Sequence, residues 1–167
     1  MIHYTTMPSP VGELTLTAEN GALTGVWFAG HKGEGGSPVK AGWTRDDAVP
    51  VLRQARAELD EYFAGKRERF DVKLQPQGTE FQRAVWRELL KVRFGRTSTY
   101  GKLAAAVGKA NAARAVGAAV GANPISIIVP CHRIIGRDGS LTGFGGGLPR
   151  KVKLLAIEGI EMPLESA

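Results

Sequence analysis

The sequence has one cysteine, Cys131, in 167 residues. An internal disulfide needs two thiols and a cysteine metal cage needs several, so both are excluded as uses of this residue within the chain. Neither a multi-cysteine zinc cluster nor a cofactor-binding motif is present, and no metal or cofactor is expected. There is also no uninterrupted apolar run of about 18 residues, and Met1 is not followed by a charged and then apolar stretch. A membrane span and a secretory leader are therefore not expected, and a cytoplasmic location is.

What is present is an ordinary globular composition, 43% apolar and 23% charged, enough for one domain or two small ones. The charge is unevenly placed. Residues 77–167 hold 13 Lys and Arg against 6 Asp and Glu, whereas residues 1–76 hold 9 against 10. The whole excess of +6 lies in the half that carries the cysteine. Such asymmetry suits a polyanion such as nucleic acid, and it equally suits a basic surface that is merely well solvated.

In the N-terminal half, residues 2–6, 14–18 and 23–28 are short runs of Ile, Thr, Leu, Val and aromatics that read as strands, the last two joined by a hairpin across Asn20-Gly21. Residues 29–47 are rich in Gly, Pro, Ser and charge, and predict a loop. From Pro50, the spacing of Val51, Leu52, Ala55, Leu59, Tyr62 and Phe63 predicts a helix that Gly65 ends. A further strand is expected over 69–74, and 75–78 reads as a linker. The expected organisation is an α/β structural domain over 1–76 and a mostly α domain with a helix-turn-helix over 77–167.

In that second half, Thr79 and Gln82 form a capping-box pattern that opens a helix with Phe81, Val85, Trp86 and Leu89 on one face. Thr99 is placed to cap a second helix bearing Tyr100, Leu103, Ala104 and Val107, which Gly108 stops. Asn111 is placed to cap a third over 112–120. Two short helices joined by a turn of about four residues fit a helix-turn-helix, a pattern that any helical hairpin also shows. The third helix has small side chains, Ala112, Ala113, Ala115, Gly117, Ala118 and Ala119, around a single long one, Arg114. Close helix packing explains that slimness, and so does entry into a DNA groove. The residue before Pro124 is steered away from helix, so the chain turns at Asn123.

The stretch Val129-Pro130-Cys131-His132-Arg133 sets a base and a fixed positive charge beside the thiol, surroundings that lower a thiol pKa, although a buried cysteine used only for packing is also common. After it, 136–139 reads as a tight turn with a return strand at 141–144, and Gly145-Gly146-Gly147 as a bare backbone open to a ligand or acting as a hinge. Pro149 suits the first turn of a final helix that carries Leu154, Leu155 and Ile157. Glu158 ends that helix, where the dipole disfavours a carboxylate, so a compensating partner such as a histidine is expected.

Pro-Cys-His-Arg between Asn123-Pro124 and the Gly-rich segment resembles the active-site signature of the O6-alkylguanine-DNA alkyltransferases, specifically over about 79–159 and more loosely upstream. The resemblance implies a winged-helix-like C-terminal domain and stoichiometric transfer of an alkyl group from O6-alkylguanine, and from O4-alkylthymine, in double-stranded DNA to Cys131. It implies His132 as base, Glu158 as its orienter, Tyr100 as proton donor to the leaving base, and Asn123 as the residue tying the turn. In an extended chain neighbouring side chains point apart, so a water is expected between Cys131 and His132. Arg114 is implied as the finger replacing a flipped guanine in the minor groove, with Ala112, Ala113, Ala115 and Thr99 also at the DNA. Ile134, Phe144, Gly145 and Ser126 are implied as pocket residues.

The chain departs from the family pattern in three places. Phe144 stands where many members have tyrosine, Gly145 where some have serine, and Ser126 where some have proline, which leaves pocket size open and points to a roomier one. The resemblance further implies a monomer, found in the cytoplasm and on the nucleoid when bound to DNA. The alternatives are a non-enzymatic helix-turn-helix protein that binds alkylated DNA and a cysteine hydrolase. The second would need an oxyanion arrangement that nothing in the sequence specifies.

Overall fold

The computed structural model describes residues 1–30, 37–140, 144 and 146–162. The N-terminal half builds a mixed four-stranded sheet from β1 (His3–Met7), β2 (Leu14–Glu19), β3 (Ala22–Phe28) and β4 (Thr44–Arg45), in the order β3-β2-β1-β4. β2 pairs antiparallel with both β1 and β3, and the two-residue β4 lies parallel to β1. The β2–β3 turn forms as its residues require, with Asn20 and Gly21 both at positive φ, 52° and 79°. β4 is a departure from the expected loop; its two residues are exposed and carry no hydrophobic periodicity that would reveal a strand.

Helix α1 (Pro50–Phe63) lays Val51, Leu52, Ala55, Leu59 and Tyr62 into the core. The strand expected over 69–74 reduces to one bridge, Leu74 to Leu23. The reason is a competing acceptor: the N–H groups of Asp71 and Val72 donate to the buried carboxylate of Glu58 at 2.9 and 3.1 Å, so they are not free to form a ladder.

The C-terminal half is helical, with α2 (Glu80–Leu89), α3 (Tyr100–Ala106), α4 (Ala113–Gly121) and α5 (Leu148–Ile157). Both halves of the Thr79/Gln82 capping box form at the start of α2, and the Thr99 hydroxyl caps α3 by accepting from Lys102 N at 3.2 Å. Asn111 does not cap α4. The N-cap is Ala112, without a side-chain bond, because Ala112 N already closes a turn onto Lys109 O and moves the helix start one residue on. A short parallel pair, β5 (Ser98–Thr99) with β6 (Ile134–Ile135), ties the start of α3 to the residues just after the cysteine. The turn at 136–139 forms as expected, closed by Gly139 N on Gly136 O and Gly136 N on Ser140 O. The proposed return strand lies mostly outside the described residues.

One continuous apolar cluster runs through both halves, from Met7 and Leu16 through Tyr62 and Trp86 to Ile125, Cys131 and Leu154. The segment from Asn123 to Ile134 crosses this core, so the cysteine is held from every side.

Candidate active site

Cys131 opens a single 3₁₀ turn, Cys131–Arg133, instead of the extended strand that the sequence suggested. Two tight backbone bonds deliver it there, Ile128 N to Ser126 O and Cys131 N to Val129 O, both 2.8 Å. Ile127, the middle residue of the first, sits at φ 73°, a left-handed conformation that a β-branched side chain adopts only when its surroundings impose it. Asn123 supplies much of that constraint. Buried, it accepts from Ile125 N at 3.0 Å and donates to Val129 O at 2.8 Å, so its side chain staples the turn from within.

Glu158 lies at the C-cap of α5 with its side chain fully buried. The compensation expected for it is present and larger than one histidine. Oε2 receives Tyr62 Oη at 2.6 Å and faces His132 Nε2 at 2.7 Å. Arg133 grips the carboxylate as a fork, Nε to Oε1 at 2.8 Å and Nη2 to Oε2 at 3.0 Å, and Gly95 N adds a weaker bond at 3.3 Å. Burial alone pushes this carboxyl up, but the bonds from His132, Arg133 and Tyr62 outweigh it and hold it at about 2.

His132 is completely buried, and that burial pushes its pKa below the ordinary imidazole value despite the pull of Glu158 in the other direction. It is therefore neutral near pH 7. The carboxylate at Nε2 selects the tautomer with the proton on Nε2, which leaves Nδ1 as a lone-pair acceptor. Nδ1 is buried and has no hydrogen-bond partner among the described residues. A base with its donor side anchored and its acceptor side open is what thiol deprotonation requires.

Cys131 is 6% exposed. Its pKa is not lowered as the neighbouring residues suggested: burial raises it. Arg133 is spent on Glu158 and does not act on the sulfur. The opposing contributions come from the Asn123 amide and from the charge of Lys151, a residue the sequence reading did not single out. Lys151 is wholly buried, donates to Ile134 O at 2.5 Å, and is itself pushed down to about 8 by burial, against the attraction of Cys131. A signal for it existed: Lys151, Leu154, Leu155 and Glu158 are spaced on one helical stripe, and that stripe is the buried one. Tyr62 and the Arg133 fork were missed because their partner lies 96 and 25 residues away.

On α4 the buried residues are Val116, Ala119 and Val120, while Ala113, Arg114, Ala115 and Ala118 are exposed. Most of the small side chains therefore face outward and do not serve close packing. Trp86 Nε1 donates to Ala119 O at 2.8 Å and holds α4 on α2. Ala112 is half-buried at the N-cap. Tyr100 is half-buried at the start of α3, where its ring passes 3.8 Å from the position a Cβ on Gly117 would occupy. Ile134 and Ser126 are buried against the turn, and Phe144 is half-buried. Gly145 lies outside the described residues. No group of three or more His, Cys, Asp or Glu side chains among the described residues is placed to hold a metal, and no helix among them is long and apolar enough to cross a membrane.

Comparisons with known proteins match nearly the whole chain. Residues 2–76 match the family described as 6-O-methylguanine DNA methyltransferase, ribonuclease-like domain, and residues 80–160 match 6-O-methylguanine DNA methyltransferase, DNA binding domain. The chain is 46% identical to the methylated-DNA--protein-cysteine methyltransferase of Mycobacterium bovis, covering 99% of this chain and 97% of that protein. To the protein of the same name from Haemophilus influenzae it is 45% identical, covering 95% and 87%. Its fold superimposes on the crystal structure of Mycobacterium tuberculosis O6-methylguanine methyltransferase with a TM-score of 0.86 at 45% identity, over 98% of this chain and 96% of that one. The match to Mycobacterium tuberculosis OGT in complex with DNA has a TM-score of 0.85 at 43% identity, over 99% and 94%.

Proposed function

The chain belongs to the 6-O-methylguanine DNA methyltransferase family, and from that premise we propose that it repairs double-stranded DNA by moving the alkyl group of O6-alkylguanine, and of O4-alkylthymine, onto Cys131. The observation that carries this reading is the one-sided imidazole of the residue that follows Cys131: His132 is fixed through Nε2 on Glu158 at 2.7 Å, and its buried Nδ1 has no partner among the described residues.

His132 Nδ1 takes the Cys131 proton, and the thiolate attacks the alkyl carbon in line. The S–C bond forms as the C–O6 bond breaks, and the electron pair stays with the guanine, to whose ring Tyr100 donates a proton. Glu158 keeps the imidazole oriented and stabilises its charged form, with Arg133 and Tyr62 holding the carboxylate in place. Lys151 favours the thiolate by its charge. A thioether has no easy exit, so each molecule reacts once.

On the DNA side, α4 enters the minor groove with its slim outer face. Arg114 fills the space of the everted base, with Ala112, Ala113, Ala115 and Thr99 against the strand. Asn123 couples that helix to the reactive turn, and Ile134, Ser126, Phe144 and Gly145 line the pocket. Residues 1–76 serve as the structural unit and 77–167 as the DNA-binding and acceptor unit. The protein works as a monomer in the cytoplasm, associated with the nucleoid when bound.

The test is intact mass after incubation with duplex DNA carrying O6-methylguanine. The wild type gains one methyl group, Cys131→Ala gains none, and Arg114→Ala binds the lesion duplex more weakly. Binding without any mass gain in the wild type would overturn alkyl transfer in favour of recognition alone.

A further inference from the structure

The pocket wall at Phe144 is not held by the C-terminal half alone. Arg150, in the first turn of α5, donates to three carbonyls from three separate segments: Nε to Val11 O at 3.0 Å, Nη2 to Ala29 O at 2.7 Å and Nη1 to Gly146 O at 3.2 Å. The first two belong to turns of the N-terminal sheet and the third to the glycine-rich segment of the pocket. The same guanidinium lies over the Phe28 ring, 5.0 Å from its centroid. Phe28, fully buried at the end of β3, meets Phe144 edge-on at 5.9 Å and 64°. Gly146 is pressed so closely between the two rings that a Cβ there would stand 2.7 Å from Phe28 and 2.8 Å from Phe144. Gly147 N closes the turn onto Phe144 O at 2.9 Å.

This arrangement exceeds what joining two halves of a core requires. A planar fork holds its donors on separate nitrogens in fixed directions, whereas the three donors of a lysine radiate from one nitrogen at the end of a flexible stem. The acceptor it holds in the C-terminal half is two residues from Phe144. We propose that Phe28 and Arg150 are positioning residues for the reaction, clamping Phe144 and Gly146 onto the N-terminal sheet and thereby setting which alkyl sizes the pocket accepts. The specificity part rests on the alkyl-transfer reading above; the clamp itself does not.

Arg150→Ala, Arg150→Lys and Phe28→Leu are compared with the wild type in single-turnover transfer from duplexes carrying O6-methylguanine or O6-benzylguanine. Amide hydrogen exchange is followed in the same proteins. A displaced pocket wall acts on the larger group, so the benzyl-to-methyl rate ratio changes by about tenfold in Arg150→Ala, in line with the sensitivity of positioned chemistry to small displacements. Phe28→Leu moves it the same way, and Arg150→Lys restores only part of it. Exchange at Gly147 accelerates by about tenfold or more, while the β1–β2 amides keep their wild-type protection. A ratio equal to wild type in all three variants, or exchange that rises over the whole chain with both substrates slowed alike, overturns the proposal. Should the wild type transfer no methyl group, the alkyl-transfer reading fails and the specificity part with it, whereas protection at Gly147 still decides whether the clamp exists.

Discussion

At the scale of the residue, Glu158 shows how a carboxylate is stabilised where a helix end disfavours it. Five donor groups converge on its two oxygens, and one of them belongs to the His132 imidazole. Neutralising it by Glu158→Gln leaves Arg133 buried without a counter-charge, a loss on the order of 3 kcal/mol in stability, checked by urea unfolding. Transfer by the folded fraction falls as well, because the imidazolium loses its stabiliser. Lys151 favours the thiolate through its charge. Lys151→Met keeps the volume and removes the charge, so the thiol pKa rises further; transfer at pH 7.5 drops by about tenfold and recovers as pH is raised, read from single-turnover rates against pH. A purely structural lysine would lower the rate without moving the profile.

At the scale of the element, short helices depend on their caps. Thr79 makes both bonds of its capping box, whereas Asn111 makes no bond to the start of α4. Thr79→Ala should therefore cost about 1 kcal/mol in thermal or urea unfolding, and Asn111→Ala close to nothing. These two positions look alike in the sequence, each a polar residue before an apolar stretch. What sets them apart is the Gln82 that completes the box at Thr79 and the backbone bond from Ala112 N to Lys109 O. The segment 69–74 makes the same point for strands. Its pattern was legible, but Glu58, which sits on a helix and has the wrong charge for a core, took the hydrogen bonds that a ladder would need.

At the scale of the whole molecule, the two halves meet through polar bonds as well as through the shared core. Tyr62 on α1 reaches Glu158 at the end of α5, and β3 is bridged to Ile125 just before the reactive turn. Stability should therefore respond to acid as one unit. Glu158 is held at about 2, below the ordinary 4.5, so its contribution is complete above pH 4.5 and is lost as pH falls towards 2. His132 is also depressed below 6.5, so the unfolded chain binds a proton before the folded one does and stability begins to fall below that pH. The melting temperature should decline gently below pH 6.5 and steeply below 4.5. Tyr62→Phe removes one donor to Glu158 and should make the steep part shallower.

The sequence by itself determined the adjacency of Cys131 and His132, the helix that carries Arg114, the capping of α2 and α3, the Asn20-Gly21 turn, and the need for a partner at Glu158. Each of these is written in residues close along the chain, where spacing and propensity act directly. The tertiary structure alone decided that the thiol is raised by burial and drawn back by Lys151, that Arg133 forks onto the carboxylate of Glu158, and that the Phe144 ring rests edge-on against Phe28. Burial and charge act through space, and the groups concerned are brought together only when distant segments pack into one core.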